Sequence, residues 1–279
     1  MLEVGLGGRY DATNAIEKPL VTAITNIDYD HTEILGKTLK KIGTDKAGII
    51  KSRSVFFTTE RRPALLKIFN EICREKRVLF YRVSSLSSGD YQEENKALAG
   101  AISRYVGVSD AHITEGIRNA RLMCRFEIIQ NEKGKPLVIL DGAHNRSKIK
   151  TTIDNLKKLK FKKLYLIVGI SDNKDHISIL KQLIPQADHV FFTRFQIKDR
   201  KCAHPKDLLA KSRKYLKKSA KTEICLDPES ALLRARSKAR TQSGAKDVIL
   251  VAGSFFLAGE LRKKWISEEW VLEHRRAFV

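Results

Sequence analysis

Along this chain, short apolar runs alternate with stretches whose hydrophobic positions recur at helical spacing, the pattern of a parallel sheet covered by helices. Residues 19–27 form a β-branched run of the length of a buried parallel strand, and residues 54–58 read as a second extended segment after a short helix from about Thr38. Leu65, Leu66, Ile68, Phe69 and Ile72 give residues 61–77 a helical face, and residues 78–83 follow as a strand. A polar connector over 84–89 leads to a helix over 90–106, with Leu98, Ala99 and Ile102 facing inward, and to a second helix over 109–120. Beyond these, residues 136–140, 164–168, 189–193 and 247–251 are apolar strands, followed by helices over 147–159, 174–183, 205–217 and 254–265. The tail over 266–279 extends or docks a helix. That rhythm predicts an α/β protein whose second half is a mostly parallel sheet covered on both faces.

Composition fits two modest cores, because the chain has 279 residues, 42% of them hydrophobic, and no segment with the make-up of a disordered region. Two domains are expected, over 1–124 and 125–279. The 53 Lys and Arg against 32 Asp and Glu leave a net charge of +21, which attracts polyanions at long range. The basic runs at 157–163, 198–221 and 234–240 lie on polar helix faces without interleaved aromatics, which favours solvated surface over a nucleic-acid site. A basic nucleic-acid-binding or scaffold protein therefore stands as the alternative functional class. Cys73, Cys124, Cys202 and Cys225 are scattered, form no Cys-x-x-Cys pair, and suit a reducing compartment. The longest apolar stretch, 248–258, is far short of the ~20 residues of a membrane span. No signal peptide opens the chain, and a soluble cytoplasmic protein is the expectation.

Candidate chemistry gathers near the amino end. Glu3 and Val4 lead into Gly5-Leu6-Gly7-Gly8, where residues without a Cβ let backbone amides crowd toward an anion or turn sharply. The strand over 19–27 runs into Asn26, Asp28, Asp30 and His31, at the end of a strand where open α/β sheets bind their ligands. Asp45-Lys46-Ala47-Gly48 closes the short helix that follows. An unmodified lysine has no lone pair to offer a metal, so Lys46 is an ordinary solvated charge on chemistry alone.

In order, spacing and residue type these three pieces resemble the metal-site region of the folylpolyglutamate synthase and dihydrofolate synthase family, within the Mur ligase superfamily. The resemblance implies that Glu3 and His31 are magnesium ligands and that Lys46 is carbamylated, which would supply the hard oxygen that Mg²⁺ prefers. Asp141-Gly142-Ala143-His144-Asn145 is similar to the Asp-Gly-Ala-His-Asn-Pro motif of the same ligases, with Arg146 in place of the proline. By that likeness Asp141 holds the nucleotide ribose and His144 lies near the phosphates or the acyl intermediate. An Asx turn leading into a helix is the purely structural account of the same aspartate. Gln92-x-x-Asn95 makes Asn95 a nucleotide contact. Leu122-Met123-Cys124-Arg125 stands where relatives carry a Trp-Pro-Gly-Arg sequence, and leaves Arg125 as a phosphate contact. Residues 169–175 look like the family's Asp-Lys-Asp turn and add Lys174 to the nucleotide set. Gly253-Ser254-Phe255-Phe256-Leu257-Ala258-Gly259-Glu260 resembles its Gly-Ser-Leu-Tyr-Leu-Ala-Gly-Glu ending, where Ser254 is either a substrate contact or simply a helix cap.

The fold so implied is an incomplete Mur-ligase-type central domain followed by a Rossmann-like C-terminal domain. The sequence contains no Gly-x-x-x-x-Gly-Lys-Ser/Thr loop: Gly36-Lys37-Thr38 imitates its end, but His31 occupies the position of the first glycine. The implied reaction is ATP- and magnesium-dependent addition of L-glutamate to a folate or pteroate through an acyl phosphate, with Lys46 and His144 as catalytic residues. A chain lacking the phosphate loop is expected to be inactive alone, either as a truncated form or as one completed by a separate N-terminal subunit.

Overall fold

The structure, a computed structural model, describes residues 1–84, 91–120, 122–239, 241–242 and 245–273. Most of the connector expected over 84–89, and the last six residues of the tail, lie outside them. The chain forms two compact units, Met1–Ala120 and Arg121–Val279, whereas the sequence pattern places the division after residue 124.

The first unit is built on a parallel three-stranded sheet in the order β1 (Val21–Ile24), β2 (Val55–Thr58), β3 (Leu79–Arg82). Between β1 and β2 lie α1 (Thr32–Leu35) and α2 (Leu39–Lys46), α3 (Pro63–Glu75) joins β2 to β3, and α4 (Tyr91–Tyr105) and α5 (Asp110–Asn119) follow. Side chains alternate across the sheet. Ile24, Phe56 and Phe80 face α2 and α3 and pack with Ile42, Leu65 and Phe69. Val21, Val55 and Phe57 face α4 and meet Leu98, Ala101 and Ile102, whereas Ala99, expected inward, is exposed.

A buried carboxylate holds the carboxyl ends of β1 and β2 together. Glu60 accepts from the Ile27 amide at 2.8 Å, from the Arg62 amide at 2.9 Å and from Arg62 Nε at 2.8 Å. Arg62 Nη2 donates in turn to the Ile27 carbonyl and to Glu60 Oε2. Burial pushes the Glu60 carboxyl up, but the bonds from Arg62 and from the Arg62 and Ile27 amides outweigh it and leave it below 4.5.

In the second unit the sheet order is β4-β5-β11-β6-β7-β8, with β4 (Glu127–Gln130) antiparallel to β5 (Leu137–Leu140) and every other pair parallel. The chain continues from β5 through α6 (Arg146–Lys157), β6 (Leu164–Val168), α7 (His176–Leu183), β7 (His189–Phe192) and α8 (Pro205–Ser212) to β8 (Lys221–Ile224). Next come α9 (Pro228–Lys238), a short antiparallel pair β9 (Thr241–Gln242) and β10 (Ala245–Lys246), β11 (Val248–Ala252), α10 (Phe255–Arg262) and α11 (Glu268–Glu273). The last long strand therefore enters the middle of the sheet. β5, β6, β7 and β11 are buried at every position. Helices α6, α7 and α8 cover one face through Ile149, Ile153, Ile179, Leu180 and Leu208, while α9 and α10 cover the other through Ala231, Leu232, Leu257 and Leu261.

The apolar periodicity missed β4, β8 and α9. β4 and β8 are edge strands with polar, partly exposed patterns, so neither shows a continuous apolar run. The helix expected over 205–217 ends at Ser212 and gives way to a 3-10 turn. All four cysteines are free, and among the described residues no helix is long and apolar enough to cross a membrane.

Replacing Glu60 by Ala leaves the Ile27 amide and the Arg62 guanidinium without their shared acceptor, and is expected to destabilise the first unit by about 3–5 kcal/mol. In the unmodified chain, the stability that Glu60 contributes is present above pH 4.5 and is lost as pH falls through its depressed folded value. Urea unfolding followed at several pH values checks both: a Glu60→Ala variant as stable as the original, or equally acid-sensitive, contradicts the assignment.

Candidate active site

In the first unit the structure brings together the first and third of the segments singled out near the amino end, the glycine loop and the end of α2. A Cβ on Gly7 would lie 2.3 Å from Asp45 Oδ1 and 2.9 Å from Leu35 Cδ2, and one on Gly8 would lie 2.6 Å from the Lys46 carbonyl oxygen. Only glycine permits that approach, and the Arg9 amide fastens it by donating to the Asp45 carbonyl at 3.1 Å. Asp11, which accepts from the Leu6 amide and from Thr13, closes the loop on its other side, and those bonds hold its carboxyl down at about 2.

Of the predicted metal residues, only Lys46 stands at this contact. Lys46 is the last residue of α2 and half-buried, while Glu3 is exposed just ahead of the glycine loop. His31 caps α1 with left-handed backbone, φ 50° and ψ 41°, although it is neither glycine nor asparagine. Such a conformation costs roughly 1–2 kcal/mol and tends to persist where the surroundings require it. Among the described residues no three His, Cys, Asp or Glu side chains gather closely enough to hold a cation. The donor set fits magnesium only with oxygens beyond those of Glu3, and a carbamate on Lys46 is a group of the required kind. Asn95 lies half-buried on α4 of the same unit.

In the second unit, three turns are strapped together at the carboxyl ends of β5 and β11. The Gly142 amide donates to the Cys124 carbonyl at 2.7 Å, the Asp141 amide to Val251 at 2.9 Å, and the Gly253 amide to Ala143 at 3.0 Å. A Cβ on Gly142 would lie 2.2 Å from the Phe255 ring, so the glycine lets the two turns touch. This brings Arg125, Asp141, His144 and Ser254 into one small region. The Arg125 guanidinium lies over the Phe255 ring, 5.3 Å from its centroid. Left-handed residues flank it, Cys124 at φ 54° and Phe126 at φ 49°.

Asp141 is buried, with Oδ1 accepting from the Ala143 amide at 3.0 Å and Oδ2 from the Thr152 hydroxyl at 2.7 Å. Burial raises its carboxyl above the ordinary 3.8, against the pull of those bonds and of the Arg125 charge. His144 Nδ1 lies 2.8 Å from the Gly142 carbonyl, so it carries the proton, and Nε2 lies 3.3 Å from the Lys148 ammonium. Ser254 is buried, and its hydroxyl accepts from the Phe256 amide at 3.1 Å as the N-cap of α10. Lys174 sits in the turn between β6 and α7. Burial pushes the Cys124 thiol up to about 12, which leaves it unreactive at neutral pH.

Sequence reasoning missed Lys148, Thr152 and Phe255. Lys148 and Thr152 follow His144 and Asp141 on the helix that their turn opens, and nothing in an isolated lysine or threonine marks it as the partner of a motif residue.

Similarity to known proteins falls on these segments. The family model described as the Mur ligase glutamate ligase domain matches residues 124–255. A probable bifunctional folylpolyglutamate synthase/dihydropteroate synthase of Halobacterium salinarum is 30% identical over 299 residues, covering 95% of this chain and 35% of that protein. The dihydrofolate synthase/folylpolyglutamate synthase of Bacillus subtilis is 26% identical over 301 residues, covering 95% of this chain and 66% of its own length. Among solved structures, E. coli FolC in complex with DHPP and ADP superposes with a TM-score of 0.77 at 26% identity, over 98% of this chain and 66% of that one. The Yersinia pestis folylpolyglutamate synthase/dihydrofolate synthase complexed with AMPPNP and Mn ion gives 0.76 at 27%, over 94% and 65%. The chain thus spans from 35% to 66% of the length of these relatives.

Because Asp141 is held with a raised carboxyl, its ionised form costs stability as pH rises above 3.8. Asp141→Asn is therefore expected to leave the second unit at least as stable as the original at neutral pH, with the advantage shrinking toward pH 4. Thermal melts across that range decide it: a large loss at neutral pH means the charge stabilises the turn.

Proposed function

We propose, from the premise that this chain belongs to the folylpolyglutamate synthase and dihydrofolate synthase family of Mur ligases, that it serves ATP-dependent addition of glutamate to the carboxylate of a folate or pteroate. The observation that carries this reading is the strapped turn of the second unit, where a cation, a buried carboxylate and an imidazole are held at the ends of adjacent parallel strands. Ligands of open α/β sheets bind at that edge.

In this reading Arg125, lying over Phe255, presents a permanent charge to phosphate oxygens, and Asn95, Asp141 and Lys174 hold the rest of the nucleotide. Asp141 accepts ribose hydroxyls with lone pairs beyond those used by Ala143 and Thr152. His144 lies beside the transferring group. Its Nδ1 proton is committed to the Gly142 carbonyl, so it orients and polarises with Nε2 and does not shuttle that proton. Ser254 caps α10, whose first amides face the incoming glutamate carboxylate. Glu3, His31 and carbamylated Lys46 would hold magnesium, which when bound neutralises charge on the phosphates. The phosphate cradle is a separate requirement, because the only Gly-Lys-Thr in the sequence, at 36–38, lacks its first glycine. Supplied in cis or in trans, that loop is what turnover by these residues needs.

Isotopic glutamate incorporation into dihydropteroate and into a reduced folate is the test, run on the 279-residue chain with magnesium-ATP, with and without a segment bearing a phosphate-binding loop. Incorporation is expected with the loop and little without it. Arg125→Ala should lower it by roughly a hundredfold while leaving the melting temperature in place. Full activity without the loop removes the need for it; no incorporation under either condition, or none lost in Arg125→Ala, refutes the ligase assignment.

A further inference from the structure

The amino ends of the first unit's strands carry a group of cations that the candidate active site does not use. Glu17, Lys18, Lys51, Ser52, Arg53 and Lys76 line a cavity of about 370 Å³. They come from three separate segments, just ahead of β1, β2 and β3, and because these strands are parallel the segments share one edge of the sheet. His31 and Glu60 follow the opposite, carboxyl ends of β1 and β2. Ligands of open α/β sheets bind at that carboxyl edge, so a cavity at the amino edge is a second place.

Two half-buried lysines set its geometry. Lys51 Nζ donates to the Asn14 carbonyl at 3.2 Å, and Lys76 Nζ donates to the Ile50 carbonyl at 2.6 Å. Asn14 is itself held, its side chain donating to the Arg9 carbonyl at 2.9 Å. The turn over 51–54 is closed by the Ser54 hydroxyl, which donates to the Lys51 carbonyl at 2.7 Å, and is left-handed at Arg53 with φ 65°. An ammonium has three protons to donate, so each lysine keeps two after its carbonyl is served. A carbonyl also leaves the full positive charge in place. Among the described residues no carboxylate pairs with Lys18, Lys51, Arg53 or Lys76, whereas Arg61, Arg62, Lys96 and Arg104 of the same unit each find one. Glu17 is the one acid on the wall, and it is exposed.

We propose that this cavity binds a compact phosphate anion carrying two or more phosphoryl groups. Four cations against one acid in a concavity concentrate multiply charged anions. A single phosphate, with about two negative charges, would neutralise only half of the four. No ring lines the cavity, so nothing there stacks a base, and the phosphoryl groups themselves are what it recognises. Its volume falls within the range of small-ligand sites. Neither the cavity nor its ligand depends on the ligase reading.

Calorimetric titration of the 279-residue chain with inorganic pyrophosphate, without magnesium and at several salt concentrations, tests it. Pyrophosphate is expected to bind more tightly than orthophosphate and to weaken as salt rises. Lys51→Gln combined with Arg53→Gln should weaken binding by roughly tenfold or more. Lys40→Gln combined with Lys67→Gln, an equal loss of charge on α2 and α3 outside the cavity, should change it by less than about twofold, and so should Arg125→Ala in the second unit. Thermal melts establish that the variants fold. Should the cavity double variant not fold, Lys18→Gln, which breaks no hydrogen bond, takes its place with an expected loss of about threefold. No binding of pyrophosphate, an equal loss in the cavity and control variants, a loss confined to Arg125→Ala, or displacement by a nucleic-acid duplex at lower phosphate concentration would overturn the proposal.

Discussion

The hydrogen bond from the Gly142 amide to the Cys124 carbonyl, 2.7 Å long, ties the turn after β5 to the segment entering β4, and the bond from Gly253 to Ala143 ties it to the turn after β11. Gly142, Ala143 and Gly253 follow the buried strands β5 and β11, and Cys124 leads into the edge strand β4, so the backbone has little freedom left once these bonds form. Everything the second unit presents to a ligand follows from that closure. Arg125, next to the fixed Cys124, lies over Phe255, Gly142 leaves the space that the Phe255 ring fills beside the buried Asp141, and His144 points its Nδ1 proton at the carbonyl that Gly142 supplies.

Both units use a buried carboxylate at the carboxyl end of a strand, with opposite electrostatics. Glu60 is surrounded by donors, three amides and a guanidinium, and the sum outweighs its desolvation. Asp141 has one hydroxyl, the Ala143 and Phe126 amides and a more distant guanidinium, and desolvation prevails. The first arrangement is a staple that gains stability from its charge. The second keeps an under-compensated acceptor in a place where a hydroxyl-bearing ligand could complete it, which is how binding sites differ from structural ion pairs. Glu60 also stands on the strand end next to the one that leads to His31, so the staple fixes the base from which the predicted metal region springs.

Much of this was legible in the residues themselves, and what was not has physical causes. Strands buried on both faces, such as β5, β6, β7 and β11, announce themselves as continuous apolar runs. Helices with a strong apolar stripe, such as α3, do the same through their spacing. β4 and β8 fell below notice because an edge strand needs only half an apolar pattern, and α9 because Leu232 is the one large aliphatic among its buried residues, beside Pro228, Ala231 and Ala235. The glycine loop and the Asp-Gly-Ala-His turn were visible because their chemistry is local. Glu60, Lys148 and Thr152 were not, since each acquires its meaning from a residue it meets only after folding.

The departures of this chain from its family's motifs follow from backbone conformation. Cys124 occupies the position of a motif glycine and keeps left-handed backbone at φ 54°, so the turn that aims Arg125 survives with a buried thiol in place of a hydrogen. The strain this entails is offset in part by burying the side chain, which is 1% exposed. Arg146 occupies the position of the motif proline, which here is the first residue of α6 after the Asn145 cap. Proline is favoured at that position because its amide would have no partner and its φ is already helical, so an arginine there loses only preorganisation. At these two positions the backbone conformation is what the residues must satisfy, left-handed at Cys124 and helical at Arg146, and Arg146 adds a charge at the end of the helix where an anion is best received.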